Sequence, residues 1–143
     1  MAAPKYLKKT VQQVMADARR EIDTPSRNWK GMCQSFCRTM YGVPAWAPSA
    51  SAAWAKIPRQ HKHIGGTVSQ APRGAVLYFV NKSGKGAGHA MIAAGIKTRN
   101  KAISTDYMRQ GKVDYVPRTI PNWGNLKYVG WSAWTPYGEL KVS

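Results

Sequence analysis

The stretch Ala75-Val-Leu-Tyr-Phe-Val80 marks the point at which the pattern of the chain changes from helical to extended. It follows the turn signal Pro72-Arg73-Gly74, and its bulky and β-branched side chains are typical of a buried strand. Four further segments of this kind follow it, separated by Gly, Asn, Lys and Pro, at residues 90–96, 102–107, 113–116 and 128–134. We therefore expect an antiparallel meander of about five strands within residues 74–134.

The first half of the chain carries helical patterns instead. From residue 5 to residue 22 the apolar positions recur at helical spacing, which predicts an amphipathic surface helix. A second helix is predicted over residues 32–41, with Gly42 at a typical C-cap position, and a third over 49–56. Helices that precede strands indicate an α+β domain, with the N-terminal helices packed on one face of the sheet.

The size of the chain predicts a single domain over residues 1–143. A length of 143 residues with 43% hydrophobic side chains suffices for one core. The N-terminus lacks the apolar segment and small-residue cleavage site of a signal peptide. No apolar run approaches the roughly 20 residues of a membrane span. We therefore expect neither Sec export nor insertion in a membrane.

The charge is strongly positive. The chain has 22 Lys and Arg against 6 Asp and Glu, a net charge of +16. This balance favours anionic partners such as nucleic acid, an acidic membrane surface or an anionic wall polymer. The basic residues are spread along the sequence, so the charge narrows the class of partner without choosing among these three.

Two cysteines, Cys33 and Cys37, lie four residues apart on the predicted second helix. This spacing puts their Cβ atoms about 5 to 6 Å apart, which disfavours a disulfide bond. Cys33 falls in the first turn, where unpaired N–H groups and the helix dipole lower a thiol pKa and favour the nucleophilic thiolate. Cysteines at helix starts are more often plain packing residues, so position alone makes Cys33 only a candidate nucleophile.

A histidine and an aspartate stand at the ends of neighbouring predicted strands. Gly88-His89 opens one apolar strand, and Ser104-Thr-Asp106 ends the next. If these strands pair as a hairpin, Asp106 comes beside His89. An imidazole held by a carboxylate keeps one tautomer and can take the proton of a nucleophile. Cys33, His89 and Asp106 thus form a candidate nucleophile, base and orienting residue.

The order of these elements resembles the CHAP and NlpC-type cysteine peptidases, a papain-like superfamily of peptidoglycan hydrolases. The resemblance covers residues 28–137 and is carried by the motifs Cys33-Gln-Ser-Phe-Cys-Arg38, Ser51-Ala-Ala-Trp54, Ile103-Ser-Thr-Asp106 and Trp123-Gly with Gly130-Trp131. It implies a papain-like fold, catalysis by Cys33, His89 and Asp106, and cleavage of an amide bond in the cell-wall peptide. Cys37 departs from the pattern of the family.

The resemblance is to phage-type lytic domains, which implies an endolysin or a virion-associated lysin. Its partners would be peptidoglycan and anionic wall polymers. The protein would be a monomer unless it is part of a virion. It would be located in the host cytoplasm before its release to the cell wall, or it would be associated with the virion. We expect no cofactor and no metal, since Arg59 and Lys62 beside His61 and His63 would repel a dication.

Four loop residues are weaker candidates for substrate contact: Asn28, Trp29, Trp46 and Trp123. The tryptophans lie near Gly or Pro and could rim a groove, and Asn28 and Trp29 precede Cys33, where a second oxyanion donor is needed.

The main alternative is a basic nucleic-acid-binding or virion structural protein without catalysis. In that case the cysteine and histidine are structural, and tryptophans stack on bases.

Overall fold

A computed structural model describes residues 5–95, 100–107, 109–119 and 125–142. The α-helices of this part of the chain are α1 (Val11–Asp23), α2 (Cys33–Tyr41) and α3 (Ala50–Lys56), followed by short 3-10 turns at Arg59–His61 and Val68–Gln70. The strands are β1 (His63–Ile64), β2 (Val76–Asn81), β3 (His89–Ala93), β4 (Lys101–Thr105), β5 (Val113–Pro117), β6 (Leu126–Ser132), β7 (Trp134–Thr135) and β8 (Gly138–Glu139). Helices precede most strands, so the prediction of an α+β domain is confirmed.

The main sheet has six strands in the order β1-β6-β2-β3-β4-β5, and each adjacent pair is antiparallel. Strands β2 to β5 form the expected meander, but β6 returns across the sheet to pair with β2. The predicted number of about five strands within residues 74–134 is confirmed by β2 to β6, whereas the predicted simple meander is corrected by the position of β6. The edge strand β1 lies before that region, and the ribbon β7–β8 extends beyond it to Glu139.

The three helices cover one face of the sheet. Successive residues of β3 point to opposite faces, so Ala90 and Ile92 pack with the helices, whereas Met91 and Ala93 pack on the other side. The same alternation holds in β2, where Tyr78 faces the helices. Among the described residues, no helix is long and apolar enough to cross a membrane.

Helix α1 begins at Val11 rather than at residue 5, which corrects the predicted range 5–22. The Thr10 side chain accepts a hydrogen bond from the Gln13 N–H, and the Gln13 side chain accepts one from the Thr10 N–H, which fixes the helix start. The preceding residues pair with the C-terminal ribbon. Leu7 N–H donates to the Glu139 carbonyl, and Glu139 N–H donates to the Lys5 carbonyl, both at 2.9 Å.

Helix α2 forms where the sequence predicts it. Its C-cap is Gly42, whose left-handed φ of 75° favours glycine and lets its N–H reach the carbonyls of Arg38 and Thr39. At the other end Met32 provides no side-chain cap, so Cys33 starts the helix with backbone N–H groups open to another acceptor.

Arg118 is a fully buried guanidinium that is held by backbone carbonyls. It donates from Nε to Lys101 at 2.9 Å, from Nη1 to Val68 and Ala71 at 3.0 and 2.9 Å, and from Nη2 to Ala94 at 2.7 Å. These bonds attach the turn at Val68–Gln70 to the face of the sheet opposite the helices.

The substitution Arg118→Met is expected to lower the free energy of unfolding by about 3 kcal/mol or more, because several buried carbonyls lose their donor. Urea unfolding followed by circular dichroism measures this. Arg109→Met is the matched control, since Arg109 is exposed and its ion pair with Asp114 is a surface contact. Equal unfolding midpoints for the two variants would contradict the prediction.

Candidate active site

Cys33 lies at the junction of α2, α3 and the start of β3. It is half-buried and borders a cleft of about 250 Å³, whose other walls include Met32, Ala47, Ser49 and Ala87. Cys37, one helical turn further, is buried in the helix-side core. Both cysteines are free thiols, as the spacing predicted. The position of Cys33 at an open cleft fits a nucleophile, and that of Cys37 fits packing.

The surroundings of Cys33 keep its thiol protonated. Burial raises the pKa of the Cys33 thiol above its usual value, and the negative charge of Asp106 acts in the same direction. The backbone N–H groups of Ala90, Gln34 and Cys33 itself favour the thiolate and lower the pKa, but burial outweighs them. The lowered pKa expected from the helix start alone is therefore wrong.

His89 is buried at the first position of β3, and its Nε2 lies 2.7 Å from Ser104 Oγ. Ser104 Oγ donates its own proton to the Thr105 carbonyl at 3.0 Å. In the tautomer with a proton on Nε2, Ser104 Oγ accepts from Nε2–H and the imidazole lone pair is on Nδ1. Burial lowers the pKa of His89 to about 4, against the opposing effect of Asp106, so the ring is neutral at neutral pH.

Ser104 is the functional candidate that sequence reasoning missed. The sequence placed it in a motif but assigned the orienting role to Asp106, because a carboxylate is the usual partner of a basic imidazole. The position of Ser104 relative to His89 on the paired strands could have identified it. On an antiparallel pair, the residue two before the one opposite His89 lies diagonally within side-chain reach.

Asp106 lies just beyond β4, with a left-handed φ of 64° that Asp tolerates better than most side chains. Strands β3 and β4 pair as predicted, with Ile92 opposite Ile103, and that register continued along the strands puts His89 opposite Asp106. The Asp106 carboxylate accepts from Gly31 N–H at 2.7 Å and from Gly111 N–H at 2.6 Å. Its charge acts on both Cys33 and His89, whereas its role as orienting residue stays a prediction.

The thiol and the imidazole approach the start of β3 from different sides. The sulfur comes from the helix side, close to the N–H of Ala90, the residue after His89. The ring of His89 contacts Ser104 and lies 6.5 Å from the ring of Phe79, which packs on the opposite face.

The four residues predicted to contact substrate lie in different surroundings. Trp29 is buried, and its Nε1 donates to Glu21 Oε1 at 2.8 Å, so its ring supports the core rather than the rim of a groove. Asn28 is exposed but lines a separate hollow with Arg27 and Lys112. Trp46 is half-buried near the cleft and packs edge-to-face on Trp134, and Trp123 lies outside the described residues.

Comparison with the models of known protein families found no match, and comparison with curated proteins found none either. The papain-like relationship therefore stays an expectation that comes from the sequence motifs.

The low pKa of His89 predicts a specific pH dependence of stability. In the unfolded chain the imidazole titrates near pH 6.5, and in the folded protein near 4, so acidification between these values protonates the unfolded state first. Relative to the variant His89→Gln, the wild-type protein is expected to lose about 3 kcal/mol of unfolding free energy between pH 6.5 and 4.

Urea unfolding of both proteins at several pH values measures this difference, and comparison with the variant cancels the other titrating groups. Above about pH 7.5, where the imidazole is neutral in both states, the difference should be constant. A difference that does not change between pH 4 and 6.5 would show that His89 is not buried as the neutral imidazole.

Proposed function

We propose that this protein is a peptidoglycan hydrolase that cleaves an amide bond of the cell-wall peptide, with Cys33 as nucleophile and His89 as general base. The observation that carries the proposal is the position of the Cys33 thiol. It borders an open cleft at a helix start, and the nearby Ala90 N–H follows directly after a buried, neutral histidine.

The reaction would begin from the neutral pair of groups. With the thiol protonated and the imidazole uncharged, the proton of Cys33 passes to His89 Nδ1 as the sulfur attacks the carbonyl carbon. Ser104 accepts from Nε2–H and holds the ring in the tautomer that has its lone pair on Nδ1. The imidazolium then protonates the leaving amine, and water releases the acyl group from sulfur.

The developing oxyanion needs N–H donors near the sulfur. The backbone N–H of Cys33 is the natural first donor, because it stands at the uncapped start of α2. The Trp29 N–H is already engaged, since it donates to the Gly111 carbonyl at 3.0 Å. Of the two upstream residues proposed from the sequence for the second donor, Trp29 is therefore disfavoured.

The charge of the protein suits the anionic surface of a bacterial wall. A net charge of +16 raises the local concentration of the protein at a negatively charged polymer and speeds association. Together with the motif resemblance, this favours a phage lysin with a papain-like fold, either a free endolysin or a virion-associated enzyme. Peptidoglycan and anionic wall polymers are its proposed partners.

Clearing of purified cell-wall suspensions tests the proposal. The variant Cys33→Ala is expected to lose activity by at least about a thousandfold, because no other group can form the acyl intermediate. Cys37→Ala, the matched control one turn along the helix, is expected to retain activity, since Cys37 is buried in packing. Clearing by Cys33→Ala at the wild-type rate would refute the cysteine mechanism.

Ser104→Ala tests how the base is held. Without the hydroxyl, neither the tautomer nor the orientation of the His89 imidazole is fixed. The value of kcat is therefore expected to fall by about tenfold or more, with little change in KM. Thr105→Val is the matched control, because the neighbouring Thr105 hydroxyl is also buried but has no hydrogen-bond partner among the described residues. If both variants lose activity equally, Ser104 has no specific role in positioning His89.

A further inference from the structure

The cleft beside Cys33 contains one charged side chain. Among the described residues that line it, Arg38 is the only one with an ionised group. The remaining walls are neutral, and several are small, such as Ala45, Ala47 and Ala87. A peptide that enters this cleft therefore meets a single cation next to the nucleophile.

The charge of Arg38 is not neutralised by a described carboxylate. The described ion pairs of this chain join Asp17, Asp114 and Glu139 to other cations, and no pair among them includes Arg38. Two further carboxylates accept hydrogen bonds elsewhere, Glu21 from Ser26 and Trp29, and Asp106 from backbone N–H groups. The described hydrogen bond of the Arg38 guanidinium is a long one of 3.3 Å to the neutral Ser35 Oγ.

The helix fixes how far Arg38 lies from the reacting sulfur. Residues 33 and 38 are separated by an axial rise of about 7.5 Å and by about 140° around the helix axis, so their Cα atoms lie roughly 9 Å apart. The contact with Ser35 shows that the Arg38 side chain points back toward the start of the helix. An extended peptide covers roughly 9 Å in about three residues.

We propose that Arg38 is the specificity-determining residue of the cleft and binds a free carboxylate of the peptide substrate, within about three residues of the bond that Cys33 attacks. This proposal rests on the proposed function, since it assumes that the cleft holds the scissile peptide. The substrate class is thus a peptide with a carboxylate close to the cleaved amide. Planar, two-point binding of a carboxylate is the interaction for which a guanidinium is best suited.

A second feature lies beside Arg38. Arg38 also borders a smaller cavity with Gln34 and Trp46, of about 10 Å³, which is room for about one water. Gln34 Oε1 and Trp46 Nε1 are buried there without a hydrogen-bond partner in the described part of the chain. A water in this cavity would satisfy both groups, so a carboxylate would reach Arg38 from the side of the larger cleft.

Affinity labelling of Cys33 tests the proposal without requiring catalysis. The probes are N-bromoacetylglycine, which carries a carboxylate, and its carboxamide. In both reactions sulfur displaces bromide from carbon, and the thiol proton passes to water. In a Cys37→Ala background, the carboxylate probe is expected to label Cys33 about tenfold faster than the carboxamide. Mass spectrometry of the labelled protein gives both rates.

Three variants distinguish the effect of Arg38 on labelling from the effect of the overall positive charge of the protein. Arg38→Gln is expected to reduce the ratio of the two labelling rates to near one, and Arg38→Lys is expected to give an intermediate ratio. Arg27→Gln is the matched control, because it removes one exposed arginine that lines a different hollow. Equal ratios in Arg38→Gln and Arg27→Gln would overturn the proposal.

Hydrolysis of cell walls provides a second test of the carboxylate site. Peptidoglycan whose free carboxylates have been converted to carboxamides with carbodiimide and ammonia is expected to be cleaved about tenfold more slowly than native peptidoglycan by the wild-type protein. Arg38→Gln is expected to cleave both at the same reduced rate. If no wall is cleaved but the labelling ratio depends on Arg38, the proposed function fails and the carboxylate site stands. If wild-type activity is normal but does not depend on amidation, the carboxylate site fails alone.

Discussion

The packing of helix α2 on strand β3 is the constraint on which the candidate site depends. Phe36 and Cys37 on the helix, and Ala90 and Ile92 on the strand, belong to one buried cluster. Because Ala90 is small, the helix start can approach the strand closely, and Cys33 comes near the Ala90 N–H. The same contact brings the thiol, which borders the cleft, to the strand that begins with His89.

This packing also determines the protonation state of the site. Burial disfavours ions, so it raises the pKa of Cys33 and lowers that of His89, and both groups are neutral at rest. A preformed thiolate and imidazolium would require surroundings that stabilise two opposite charges, and Asp106 supplies only one of these effects. In the proposed mechanism, the proton would therefore be transferred during attack and not from a resting ion pair, so the position of the imidazole would be more important than its basicity.

Much of the fold was predictable because it follows from local chemistry. Gly42 ends α2 through its left-handed conformation, and the apolar runs after Gly74 identify most strands of the sheet. The errors arose where distant segments decide the structure. Residues 5–7 have a helical pattern, yet they pair with Glu139, and β6 returns to β2 instead of continuing the meander. Neither pairing leaves a signal in the spacing of nearby residues.

The residues of the candidate site were also predictable to different degrees, for the same reason. Cys33 was identifiable from its place in the helix, and His89 from its place at the strand entry, since each depends on one element. The partners of Asp106 could not be identified, because its carboxylate joins Gly31, before α2, to Gly111, before β5. This bridge ties the loop that precedes Cys33 to the turn between β4 and β5, while Ser104 contacts the His89 ring. The two polar residues of one motif thus act on different partners, because Ser104 lies within the strand and Asp106 lies in the turn beyond it.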